Sequence, residues 1–213
     1  MKGVFAVGSA EIREPIQKRS IEKKEKIIQA GFELICEKGY YNTNTIEIAK
    51  YAGVSTGIVY QYFKDKHDIL IAGIKLYANS IFYPMLSIAD ENIKTNINTK
   101  DFSTILRNMI NKFIKNHKIS QTAHEELIAM THSDAEVAEL FHTAEMEMTN
   151  KITNILLKNG VCNNNLTEKV HVSIGIIDNL CHEIVYHKHA NLNYDSMIDI
   201  VIDCICKIFN FNT

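Results

Sequence analysis

Residues 39–70 read GYYNTNTIEIAKYAGVSTGIVYQYFKDKHDIL, and this stretch decides the fold. A helix-turn-helix needs two short helices packed at a steep angle through a turn of three or four residues. Asn44 stands three residues before Glu47, the spacing of a capping box, and predicts a short helix ending near Ala52. Ile48, Ala49 and Ala52 give that helix a small-residue packing face, Gly53 permits the turn, and Val54 can plug the angle between the helices. Ser55 is a suitable N-cap for a second helix running to about Phe63, on which Val59 and Phe63 point inward together at i and i+4.

The opposite face of that second helix carries Gly57, Tyr60 and Gln61, with Ser55 and Thr56 at its start. Hydroxyls and an amide on an exposed helix face suit the major groove, where they can meet phosphates and base edges. Gly57 costs a helix interior about 1 kcal/mol relative to Ala, and close approach of the backbone to DNA is one reason to keep it.

Outward from this core, an apolar face of Ile27, Ile28, Gly31, Phe32, Leu34 and Ile35 predicts a preceding helix from Ile21 to a stop at Gly39. Lys64-Asp65 leads into a long helix from Lys66 to about Tyr83, with Pro84 and the Asn/Thr/Lys-rich stretch 90–100 marking a break. Further helical segments follow at roughly 101–117, 120–131, 134–159, 167–188 and 194–210. Ser133 with Glu136 suggests another capping box, and Gly160 with Asn163, Asn164 and Asn165 a turn. The expected fold is all-α. It divides into a flexible extension over 1–19, a three-helix domain holding the helix-turn-helix over 20–65, and a larger helical domain over 66–213.

Composition agrees without deciding. The 213 residues are 46% hydrophobic and 23% charged, contain two prolines and no Trp, and carry a formal charge of −2. Residues 1–66 hold eleven Lys/Arg against eight Asp/Glu and the remainder twelve against seventeen, so a modestly basic head precedes an acidic body. Five cysteines, odd in number and without a CxxC pair, sit mostly in apolar stretches and fit a reducing cytoplasm. No apolar run approaches about 18 residues and no signal peptide opens the chain, so neither a membrane nor an export role is expected.

The order of Gly39-Tyr40, Thr43, Ile48-Ala49, Ala52-Gly53-Val54-Ser55, Gly57, Tyr60, Tyr62-Phe63 and Lys66 resembles the signature of the TetR family of transcriptional regulators. The resemblance covers about the first 70 residues. It implies an all-helical homodimer whose C-terminal domain binds a small-molecule effector and thereby releases a palindromic DNA operator. Carried over by position, it places Asn44 and Thr45 near the phosphate backbone. It makes Ser55, Thr56, Gly57, Tyr60, Gln61 and Tyr62 the recognition surface, and pairs Lys66 with phosphate. Ile58 and Thr56 depart from residues often found in the family. Ile58 could instead meet a thymine methyl group.

For the body, the last helix has Asp195, Asp199, Asp203 and Lys207 on one polar stripe and apolar residues over most of the rest. A face that wide suggests a second surface to bury. Ile174, Gly175, Cys181, Val185, Val201, Ile205 and Ile208 are the candidate dimer-interface residues. Candidates for an effector pocket are Tyr77, Phe82, Met85, Met109, Phe113, Met130, Phe141 and Met146, with Asp178, Asn179 and His182 as polar anchors.

Enzyme and metal readings find little support. His182-Glu183 is followed by Tyr186 at i+4, where a zincin needs His, and Cys204 and Cys206 lie about 200° apart around a helix. No cofactor-binding or paired catalytic motif is expected. A metal- or thiol-responsive regulator on the same fold, using His182 or Cys181, is the alternative, and an all-helical enzyme a more remote one.

Overall fold

The computed structural model describes residues 18–94, 97–117, 119–161 and 164–210. Among them are nine helices and no strand: α1 (Lys18–Lys38), α2 (Thr45–Ala52), α3 (Thr56–Val59), α4 (Lys66–Asn92), α5 (Thr99–Asn116), α6 (Gln121–Ser133), α7 (Ala135–Lys158), α8 (Leu166–Tyr186) and α9 (Tyr194–Ile208). The expected flexible extension falls, up to residue 17, outside the described residues. Helix α1 starts at Lys18, three residues before the expected Ile21.

Caps at the helix ends fix the layout. Asn44 closes the start of α2 by accepting from the Glu47 amide at 3.0 Å, and its own Nδ2 donates back to the Glu47 carboxylate. Gly53 ends α2 at φ 66°. Its amide donates to Lys50 O, and that of Val54 to Ala49 O, the paired bonds of a Schellman turn. Asp65 accepts from the His67 and Asp68 amides, and Asp68 accepts from the Lys64 amide, so the start of α4 is capped reciprocally. Before α7 the capping residue is Asp134, which accepts from Glu136 and Val137, in place of the expected Ser133. A carboxylate one position nearer the helix reaches both free amides.

Pro84 does not break α4, contrary to the sequence expectation. A helical proline leaves the carbonyl four residues earlier without its usual donor. Here that carbonyl belongs to Ser80 and accepts from Asn116 Nδ2 at 2.9 Å. The side chain of α5 thus supplies the donor that proline lacks, and the helix runs on to Asn92.

Two compact units result. The first contains the chain up to Leu76 together with Thr122–Met130; the second contains Tyr77–Gln121 and Thr131 onwards. The core of the first is built by Ile27, Leu34, Ile48, Ala52, Val59, Phe63 and Ile69, closely packed at Gly31, where an added Cβ would lie 2.4 Å from Ile69 Cγ2. The second is centred on Met85, Phe102, Ile110, Phe113, Leu156, Val170, Cys181 and Ile205. Helix α4 contains a window of mean hydropathy 1.4, apolar and long enough by composition to cross a membrane. Ile69, Leu70, Ile74, Ile81, Met85 and Ala89 of that helix are buried in the protein's own cores, while Leu76 and Tyr83 are exposed.

Candidate nucleic-acid interface

The turn built by Gly53 and Val54 delivers α3 with Val59 and Phe63 turned inward, and this sets what remains outside. Ser55, Gly57, Tyr60 and Gln61 are exposed, Tyr60 to 48%. Ser55 occupies the N-cap position with extended backbone but makes no capping bond through its side chain. An added Cβ on Gly57 would meet only Ser55 Oγ, at 4.0 Å, so the fold itself leaves room for a side chain there. Thr56 is half-buried. Helix α3 is shorter than expected, with four residues in α conformation and turns from Tyr60 to Tyr62 held by bonds such as Tyr62 N to Val59 O at 3.0 Å.

Two residues expected on this face are partly withdrawn from it. Tyr62 and Ile58 are half-buried and pack against the core of the first unit. Tyr62 follows Val59 by three residues, so it turns towards the same side.

At the start of α2, Asn44 is exposed and Thr45 half-buried. Two neighbours were not legible as site residues: Tyr41, 80% exposed in the loop before α2, and Ile46, 69% exposed in its first turn. No periodicity marks an exposed aromatic in a six-residue loop, so the sequence offered no signal for Tyr41.

Lys66 departs from its expected role. Its Nζ donates to Tyr40 O at 2.6 Å and to Thr43 O at 2.9 Å, and lies 4.3 Å from the centre of the Tyr40 ring. The ammonium is turned onto the loop that precedes α2, so it holds that loop rather than reaching outward. At the same residue, the Tyr40 amide donates to Glu126 Oε1 at 2.6 Å. Thr43, 2% exposed, donates to Gly39 O at 2.9 Å and completes the loop.

Asp65, His67 and Asp68 bring potential metal-ligand atoms within 4.8 Å of one another. The two carboxylates are the caps of α4 already described, which explains their proximity.

The sequence profile described as "Bacterial regulatory proteins, tetR family" matches residues 27–72, the segment that forms this surface and its supporting helices. This segment is a TetR-family helix-turn-helix module. The HTH-type transcriptional regulator HbdR of Aromatoleum sp. (strain CIB) is 50% identical over 54 residues, covering 25% of this chain and 24% of that protein. The fatty acid metabolism regulator protein of Bacillus subtilis (strain 168) is 33% identical over 140 residues, covering 65% and 63%. The chain thus spans less than two thirds of the length of these curated relatives. A TetR-family transcriptional regulator from Mesorhizobium loti MAFF303099 shares the fold, with a TM-score of 0.72 at 17% identity over 90% of this chain and 98% of that one. Another, from Syntrophomonas wolfei, is 25% identical with a TM-score of 0.64, covering 89% and 95%.

In the second unit, four of the expected pocket residues come together. His182 Nδ1 lies 3.1 Å from Asp178 Oδ2, and its ring is 5.8 Å from that of Phe113. His117, at the end of α5, joins them, 5.0 Å from the His182 ring and 6.4 Å from Tyr77. His117 was not among the sequence candidates, because it stands at a helix end where periodicity gives no face. Burial, helped by neighbouring His182, holds its imidazole below the ordinary 6.5, against the opposing pull of the Phe113 carbonyl at 3.0 Å from Nδ1 and of the Asp178 carboxylate. Phe82 is half-buried and Met85 and Met109 are buried in the same core. Phe141 is half-buried, Asn179 and Met146 are exposed, and Met130 is buried in the first unit.

The expected dimer residues divide. Cys181 and Ile205 are wholly buried within the chain's own core and cannot face a partner. Burial raises the Cys181 thiol far above the usual range, which makes it a poor sensor. Ile174, Val185, Val201 and Ile208 are half-buried and Gly175 is exposed. Additional apolar exposure lies at Val172 (53%) on α8 and Ile200 (61%) on α9, with Cys204 exposed one turn beyond Ile200.

Proposed function

We propose that this protein is a DNA-binding transcriptional regulator that docks the α3 surface in the major groove of a palindromic duplex as a homodimer. The observation that carries the reading is the exposed group Ser55, Gly57, Tyr60 and Gln61, presented on the tightly capped turn at Gly53 in the segment that matches the tetR profile. Tyr60 and Gln61 offer a hydroxyl and an amide to base edges, and Gly57 lets the backbone come close. Asn44 and Thr45, at the start of α2, are assigned to phosphate. Thr56 and Tyr62 contribute from the margin of the surface.

Dimerisation is assigned to the outer faces of α8 and α9, with Val172, Gly175, Ile200, Val201 and Cys204 as its centre. Exposed Ile and Val on two packed helices support it, since a two-fold axis would bury them as a four-helix bundle. Two recognition surfaces about 34 Å apart would then meet successive major grooves.

The protein acts as a repressor in this reading, in the cytoplasm, and a small molecule bound among Tyr77, Phe113, Asp178 and His182 releases it. A ligand does so only by preferring the released state, and a preference of about 10⁴-fold inverts a 1:99 balance. The Bacillus relative's name refers to fatty acid metabolism, so fatty-acid derivatives are the first effectors to screen.

The test is a mobility shift with duplex from the protein's own upstream region, against a scrambled duplex. Specific binding weakened by Tyr60→Phe and Gln61→Ala supports the assignment. Specific binding indifferent to both would move the DNA surface elsewhere.

A further inference from the structure

Glu126 lies 86 residues beyond Tyr40 in the sequence, yet its carboxylate accepts from the Tyr40 backbone amide at 2.6 Å. The seat is built to receive it. Helix α1 ends with Gly39 at φ 87° and its amide bonded to Ile35 O at 2.8 Å, the αL ending that leaves the next amide to seek another acceptor. A Cβ on Gly39 would stand 3.1 and 3.3 Å from the two Glu126 oxygens, so the glycine makes room for the carboxylate. A negative charge at the C-terminal end of a helix opposes the helix dipole. Stability of α1 is therefore a poor reason for placing it there.

What the contact does achieve is to fix the backbone of one residue at both its amide and its carbonyl. Glu126 takes the Tyr40 amide, while Lys66 takes the Tyr40 and Thr43 carbonyls. The loop so held runs directly into Asn44, the cap of α2, and displays Tyr41. We infer that Glu126 is a positioning residue for the DNA interface: from outside the helix-turn-helix, it sets the loop that places Asn44, Thr45 and Tyr41 against the duplex. The inference rests on the DNA-binding reading.

Glu126→Gln and Glu126→Ala remove the same charge, but only Gln keeps an acceptor for the amide. Comparing them isolates the hydrogen bond from any gain in DNA affinity caused by deleting a negative charge. Two readouts are taken on the full chain: hydrogen exchange of the Tyr40 amide in the free protein, and affinity for a duplex enriched from a random library. Expected results are a protected Tyr40 amide in the wild type and in Glu126→Gln, at least tenfold faster exchange in Glu126→Ala, and about fivefold weaker binding by Ala than by Gln. Equal affinity of the two variants overturns the inference even if the amide loses protection, as does a wild-type Tyr40 amide that exchanges freely. Should Glu126→Ala fail to fold, Glu126→Asp replaces it, keeping charge while withdrawing the acceptor by one methylene. If the wild type enriches no duplex, the DNA-binding reading fails, and the proposed role in the interface is overturned with it. The exchange data still decide separately whether Glu126 holds the loop.

Discussion

Replacing Lys66 by Met separates two roles that a lysine at this position can play. Met keeps most of the side chain's apolar length and removes the ammonium, which donates to Tyr40 O and Thr43 O and sits over the Tyr40 ring. Hydrogen bonds from charged donors contribute about 1.5–3 kcal/mol each when protected. This site is only half-buried, so the pair is discounted to about 2 kcal/mol in all. In a chain of this length such a loss lowers Tm by about 4–8 °C. The loop before α2 loosens and binding to an enriched duplex weakens by about tenfold, an estimate that assigns most of the lost energy to the bound geometry. The decisive assay is affinity as a function of salt. Each phosphate neutralised by a lysine contributes about −0.9 to the slope of log K against log salt, or about −1.8 for the two copies in a dimer. A holding role predicts lower stability and an unchanged slope. Unchanged stability with a slope smaller by about 1.8 would refute the reasoning and return Lys66 to the phosphate.

Two glycines make opposite predictions. Gly31→Ala drives a methyl to 2.4 Å from Ile69 Cγ2 and is expected to destabilise by about 1–3 kcal/mol in chemical denaturation. Gly57→Ala enters open space and should hold or raise stability by up to about 1 kcal/mol while weakening duplex binding; undiminished binding would remove Gly57 from the interface. Ile200→Asp, on the exposed face of α9, is expected to convert the proposed dimer to monomer by light scattering, and an unaltered dimer would place the interface elsewhere. His117 has a folded-state pKa below its ordinary 6.5, so between these values the unfolded chain binds more protons and stability falls as pH drops. His117→Gln should flatten the stability profile in that window, measured by denaturation at stepped pH, and an unchanged profile would assign the slope to other groups.

Local chemistry carried the head of this protein into view from the sequence. Asn44 with Glu47, Gly53 with Val54, and the inward pair Val59 and Phe63 act through neighbours within five residues, so their spacing is their mechanism. What depends on distant partners was hidden. Pro84 reads as a break until Asn116 supplies the donor for Ser80 O, and no rule of spacing connects residues 80 and 116. Lys66 reads as a phosphate contact until the Tyr40 and Thr43 carbonyls are seen to receive it. Glu126 gave no signal at all, since its acceptor role exists only once α6 meets the end of α1. Helix periodicity placed Cys181 and Ile205 on apolar faces correctly, but a face that packs within the chain and one that packs on a partner carry the same residues. His117 escaped for the simpler reason that it ends α5.

The central claim is that the surface of Ser55, Gly57, Tyr60 and Gln61 reads duplex DNA. Selection of duplexes from a random library by the purified protein, with affinity of the enriched sequence measured against a scrambled one at fixed salt, tests it most directly. The account predicts a palindromic site with half-sites about one helical turn apart, bound by a dimer and weakened by Gln61→Ala. Enrichment of no sequence, or a site bound equally well by Tyr60→Phe and Gln61→Ala variants, would contradict it.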